Sequence, residues 1–171
     1  MNWTIPGTTL ADKRANADHV EEKFHSMFLA GGMVLSQVAS VSGLEPYTVQ
    51  NWVKRGFLTS PVGKRYSLRQ LCRILNINML RGAMPIERIC QLLSYVNGHL
   101  DDDSDDIIDD AVLYFMFVKL AARARYIGGN ESWEIAIENA TVVVFVCDIK
   151  TGMIAAVNGV SKQRMPLIRH M

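Results

Sequence analysis

Apolar residues recur at helical spacing from Ala11 to Tyr126, and Gly or Pro interrupts them at short intervals. From Ala11 to Ala30, Val20, Phe24, Met27 and Phe28 fall on one stripe, with Asp12 placed to cap the helix. Gly31-Gly32 ends it. A short helix follows, capped by Ser36, with Val38, Ala39 and Val41 turned inward and Gly43 as its stop. Pro46 opens the next helix, because its missing N–H is unpaired in a first turn anyway. That helix runs to Arg55 and stops at Gly56. Phe57 to Ser67 carries Pro61 and Gly63 and reads as a short hairpin. Ser67 and Gln70 then have capping-box spacing ahead of Leu68, Leu71, Ile74, Leu75 and Leu80. Pro85 opens a further helix with Ile86, Ile89, Leu92, Leu93 and Val96 inward, closed by Asn97-Gly98.

Beyond that point the pattern loosens. Seven aspartates between Asp101 and Asp110 crowd the start of a helix from Asp105 to about Tyr126, where the helix dipole favours negative charge. They lack the loop spacing and glycine of an EF-hand. Thr141 to Cys147 fits two structures. It is β-branched and pairs well with Met153 to Val157 across Lys150-Thr151-Gly152 as a hairpin. As a helix it is apolar almost all round and has to be buried in a core or a dimer.

Charge changes the picture more than composition does. With 49% apolar and 20% charged residues the chain is globular, and its net charge is only +1. Yet Val34 to Gly98 holds eight basic residues against Glu45 and Glu87, a balance of +6, which leaves −5 on the remainder. A basic module on an acidic remainder is the footprint of a nucleic-acid binder. Cys72, Cys90 and Cys147 lie far apart and form neither a disulfide framework nor a metal pair. No signal peptide or membrane span is evident, so a cytoplasmic protein is expected. The scattered histidines show no metal spacing, and no nucleophile, paired-carboxylate or phosphate-loop constellation is present. Neither an enzyme nor a cofactor is expected.

The order helix, tight turn, helix, hairpin, helix, helix resembles the winged helix-turn-helix of MerR-like transcription regulators. Ser36-Gln37-Val38-Ala39 with Gly43 resembles that family's first helix and turn. Thr48-Val49 and Trp52 resemble its recognition helix, and Gly56-Phe57-Leu58, Pro61 and Arg65-Tyr66-Ser67 its wing. Met84-Pro85-Ile86 with Ile89, Leu92 and Leu93 resembles its fourth helix. The whole chain also resembles a bacterial family defined only as domain of unknown function 1836. That likeness rests on Asn51-Trp52-Val53-Lys54-Arg55-Gly56, Ile77-Asn78-Met79-Leu80, and Tyr95-Val96-Asn97-Gly98 followed by Asp105 to Asp110. The resemblance implies a mainly α fold: an N-terminal helical extension over 1–33, the winged module with its β-hairpin wing over 34–98, and a helical, dimerising region over 99–171. It also favours helix over hairpin for Thr141 to Cys147.

The expected function is a sequence-specific, dimeric DNA-binding transcription regulator. A helix fits the major groove, and Tyr47, Thr48, Gln50, Asn51 and Lys54 occupy the reading part of the second helix. Val49 and Trp52 point the other way. Gln and Asn each pair bidentately with adenine. Lys54, Arg55, Lys64, Arg65 and Arg69 are placed to hold phosphates. MerR-type helices usually carry arginine and tyrosine where this chain has Gln50 and Asn51. That departure supports an alternative, a protein–protein interaction scaffold on a winged-helix fold that has lost DNA binding. The expected partners are double-stranded DNA and a second copy of the chain, with no membrane and no effector legible.

Overall fold

A computed structural model describes residues 3–13, 16–97, 100, 108–127, 131–137, 141–147 and 154–158. The chain opens with a small hairpin, β1 (Trp3–Thr4) against β2 (Ala11–Asp12). Helices α1 (Ala17–Met27), α2 (Leu35–Ser42) and α3 (Pro46–Lys54) follow, with β3 (Met33–Val34) just before α2. Strand β4 (Arg65–Tyr66) pairs antiparallel with β3 and leads into α4 (Leu68–Leu80), α5 (Ile86–Asn97) and α6 (Asp110–Ile127). The described chain ends in β5 (Glu131–Ile137), β6 (Thr141–Cys147) and β7 (Ile154–Asn158). It is mainly helical, with small sheets.

Helix α4 is the centre. Leu71, Ile74, Leu75, Ile77 and Leu80 are fully enclosed, so it is buried on nearly every side rather than along one stripe. Its start is the expected capping box: Ser67 Oγ accepts from Gln70 N at 3.1 Å, and Gln70 Oε1 accepts from Ser67 N at 2.9 Å. Pro46 sits in the first turn of α3, as expected, and Val49 and Trp52 are buried.

Several boundaries differ from the sequence reading. Asp12 does not cap α1; it lies in β2, buried, 3.6 Å from His19. Asn16 is the cap, its Oδ1 accepting from Asp18 N and His19 N. The reason is the preceding hairpin, which folds back to bury Trp3 and Ile5, so residues 1–33 are not simply a helical extension. Ser36 lies inside α2 and is exposed; Gln37 Oε1 accepts from Val34 N at 3.0 Å and does the capping. Helix α6 begins at Asp110, where Asp109 Oδ1 accepts from Ala111 N and Val112 N. The aspartate run over 101–107 lies outside the described residues.

The C-terminal region is corrected most. After α6 the chain forms an antiparallel sheet in the order β5-β6-β7, not helices. Ile135 pairs with Val143, and Val144 with Val157. The β-branched run of β6 followed its intrinsic strand preference and became the central strand, paired on both edges.

The expected limits at 33/34 and 98/99 do not separate cores. A single buried cluster runs from Trp3 to Ala121. Phe24 of α1 meets Tyr114 and Phe115 of α6 with ring centroids 5.4 and 5.8 Å apart, and Tyr114 Oη donates to Pro6 O at 2.9 Å. Asn78 Nδ2 donates to Gly7 O and Ser42 O, tying the N-terminal turn to the end of α2. Phe115, Val118 and Leu120, which lie in the region expected to dimerise, are buried within the chain, whereas Val112 is 53% exposed. The side chains of Val142 to Val146 lie outside the described residues.

Candidate nucleic-acid interface

Helices α2 and α3 are joined through Gly43, Leu44 and Glu45. Ser42 Oγ, buried, donates to Val38 O and accepts from Leu44 N, which fixes this turn. Val38, Val41, Leu44, Val49 and Trp52 close the space between the two helices. With Val49 and Trp52 locked inward, Tyr47, Gln50, Asn51 and Lys54 form an outward stripe at spacing i, i+3, i+4, i+7. Tyr47 is 71% exposed, Gln50 and Lys54 are exposed, Asn51 is half-buried, and Thr48 is half-buried to one side.

The hairpin after α3 closes at Gly63 and Lys64, whose φ angles are +56° and +61°. Positive φ at both central positions marks a type I′ turn, the form that matches strand twist. Arg65 N donates to Val62 O across it at 2.9 Å. The return strand is seated on β3, where a Cβ on Gly32 would come within 2.5 Å of Tyr66 O. Only glycine allows that approach. Gln70 ties down the base of the hairpin, its Nε2 donating to Thr59 O, Thr59 Oγ1 and Ser60 O.

The basic residues do not share one role. Lys54 and Lys64 are exposed, and neither has an ion pair among the described residues. Arg65 is exposed, but its Nη1 donates to Gly32 O at 2.7 Å. Arg55 pairs with Glu87 of α5 at 2.6 Å and lies 4.5 Å over the Phe57 ring. The Glu87 carboxyl is held below its usual range by its own backbone N–H and by Arg55. Arg69 is half-buried and faces the Asp110 side of α4. Arg73 is buried, its Nε donating to Phe57 O and its Nη1 standing 3.4 Å from Asp110 Oδ2. Part of the +6 balance is therefore spent inside the molecule and never reaches the surface.

Sequence reasoning missed this interior group. Asn76 Nδ2 donates to Asp110 O, while Asn76 Oδ1 and Asp110 Oδ1 are buried without a donor among the described residues. Burial raises the Asp110 carboxyl above its ordinary value, against the pull of Arg73. A usable signal existed: Arg73 stands between Cys72 and Ile74 in a run that is apolar on both helix faces. Cys72 and Cys90 are unpaired, and burial pushes both thiols up.

A family model described as Domain of unknown function (DUF1836) matches residues 20–117, more than half of the chain. The chain belongs to the DUF1836 family. The match runs from α1 into α6 and so coincides with most of the common core rather than with 34–98 alone. The "Uncharacterized protein YkrK" of Bacillus subtilis (strain 168) is 30% identical over 84 residues, 47% of this chain and 36% of that protein. The chain thus spans about a third of the length of the curated relative it matches. No solved structure matches it. Among the described residues no helix is long and apolar enough to cross a membrane.

Proposed function

We propose that this DUF1836 chain is a sequence-specific DNA-binding transcription regulator, with α2 and α3 as a MerR-like helix-turn-helix and the 57–67 hairpin as its wing. The observation that carries this reading is the outward stripe of α3, Tyr47, Gln50, Asn51 and Lys54, on a helix whose opposite face is locked by Val49 and Trp52. Such a helix enters the major groove end-on with short polar groups leading. Lys64, raised on a rigid I′ turn, supplies a phosphate or minor-groove contact beside it. Lys54 and Lys64 are the strongest phosphate candidates; Arg55, Arg65 and Arg69 all hold internal contacts as well. The protein acts in the cytoplasm on this reading.

The regulator reading includes a homodimer, since two half-sites multiply specificity. The apolar face of α6 no longer argues for it. The sheet offers a different surface, because β5 and β7 are edge strands whose outer backbone groups can pair with a second copy.

An interaction scaffold is the second reading. It is favoured by Gln50 and Asn51 standing where MerR-type helices carry arginine and tyrosine, and by the 71% exposure of Tyr47. Salt-dependent binding to mixed genomic fragments separates the two, because a scaffold shows no binding even at low salt.

Two substitutions test the site in detail. Lys64→Ala should weaken binding about equally for all sequences and lower the slope of log affinity against log salt by roughly 0.9. An unchanged slope places the wing away from DNA. Gln50→Ala should reduce preference for a selected site by about 1–3 kcal/mol with the melting temperature unchanged, because an exposed amide contributes reading and little stability. A lowered melting temperature with site preference intact makes Gln50 structural instead.

A further inference from the structure

Arg55 lies one turn beyond Asn51, so it extends the outward row of Tyr47 and Asn51 at the end of α3, beside Lys54. Its side chain is 45% exposed, yet it is held. Nη2 donates to Glu87 Oε1 at 2.6 Å, and the guanidinium lies 4.5 Å from the centre of the Phe57 ring. Glu87 stands in the first turn of α5 with its side chain 58% exposed. Between Val34 and Gly98 the only other acidic residue is Glu45. A carboxylate therefore rests on the cation that ends the proposed reading helix, where a DNA phosphate would otherwise bind.

The pair is built to exchange. Both groups reach water, and an ion pair between exposed groups contributes little to stability. The hydrogen bond uses one of a guanidinium's five N–H groups, whereas a phosphate offers the two-pronged contact that this group favours. Nor does Glu87 depend on Arg55. Its own backbone N–H is the larger influence holding the carboxyl below its usual range, with Arg55 second, so the carboxylate keeps a donor when the arginine leaves. We propose that Glu87 is an internal stand-in for phosphate, which holds Arg55 in the free chain and releases it to the DNA backbone in the complex. Phe57 keeps the guanidinium at the end of α3 in both states. This inference rests on the DNA-binding reading and deepens it, because it makes Glu87 a brake on affinity built into the site. The brake acts on every duplex by the same factor, since the contact that it delays reads no base.

The test measures affinity of the full chain for a mixed-sequence duplex across salt concentrations, for the wild type, Glu87→Gln, Arg55→Gln and the double variant. Both positions are exposed, so the melting temperatures should stay within a few degrees of one another. Glu87→Gln should bind about two- to fivefold more tightly at low salt, the range that an exposed ion pair spans. Arg55→Gln should bind more weakly, with a slope of log affinity against log salt smaller by roughly 0.9, one phosphate contact. In the double variant the gain from Glu87→Gln should largely vanish, since the arginine that it frees is gone. The proposal is overturned if Glu87→Gln binds unchanged or more weakly, which makes the carboxylate inert or a positioning group. It is also overturned if Arg55→Gln keeps the wild-type slope, or if Glu87→Gln gains as much without Arg55 as with it, which is plain repulsion of DNA. In each of these cases the wild type still binds duplex and the regulator reading stands. A wild type that binds no duplex at low salt overturns both.

Discussion

Truncation after Gly98 should yield an unfolded chain rather than a compact fragment. The cut removes α6, and with it Leu113, Tyr114, Phe117, Val118 and Leu120, all within 1% of full burial. Each such side chain contributes roughly 1.5–3 kcal/mol by leaving water. Together they rival the whole net stability of a small domain, about 5–15 kcal/mol. The fragment should lack a cooperative melt by circular dichroism. Within the intact chain, Tyr114→Ala should cost about 3–5 kcal/mol, because the cavity opens between α1 and α6 and Pro6 O loses its donor. A fragment ending at Gly98 that melts cooperatively would show that the first five helices form a core of their own.

Arg73→Met should be the next most damaging change. It leaves the Asp110 carboxyl enclosed without its guanidinium partner, a loss of about 3–5 kcal/mol for a buried pair. Adding Asp110→Asn should recover part of that loss, and strict additivity of the two changes would mean that the pair is not coupled. The pH dependence has a defined sign. Burial raises the Asp110 carboxyl, with Arg73 opposing, so the folded chain keeps this proton where the unfolded chain has released it. Its contribution is therefore fully present below the ordinary aspartate range and is lost as pH rises through the raised value. Denaturant melts of Asp110→Asn should lack that decline.

The local grammar of this fold was legible in the residues. Pro46 set the start of α3, the Ser67 and Gln70 pair set the start of α4, and Val49 and Trp52 turned inward as helical spacing requires. These features depend on neighbours within one or two turns. What escaped was set by distant partners. Asp12 had the chemistry of a cap, but the hairpin that buries Trp3 and Ile5 placed it in β2 and gave the cap to Asn16. Phe115, Val118 and Leu120 fell in a region expected to dimerise rather than in the core, because nothing in sequence order shows α6 lying against α1 and α4. Thr141 to Cys147 was ambiguous by periodicity, since an apolar run without alternation suits a buried helix or a central strand. Its pairing on both sides, and not its own pattern, made it a strand.

The same division holds at the candidate interface. The outward positions of Tyr47, Gln50, Asn51 and Lys54 followed from one helix and its anchors. The basic residues did not, because charge counted along a chain carries no information on where each guanidinium ends. Arg55 turned to Glu87, thirty-two positions on, and Arg73 to Asp110, thirty-seven positions on.

DNA reading by α3 is tested most directly by selecting bound sequences from a random duplex pool with the intact chain, then measuring affinity for the enriched site across salt concentrations. The expected result is one enriched motif whose binding weakens steadily as salt rises, with Gln50→Ala blurring the motif at one position. A pool that stays random, together with no binding to any duplex at low salt, would contradict it and leave α3 as a surface for protein partners.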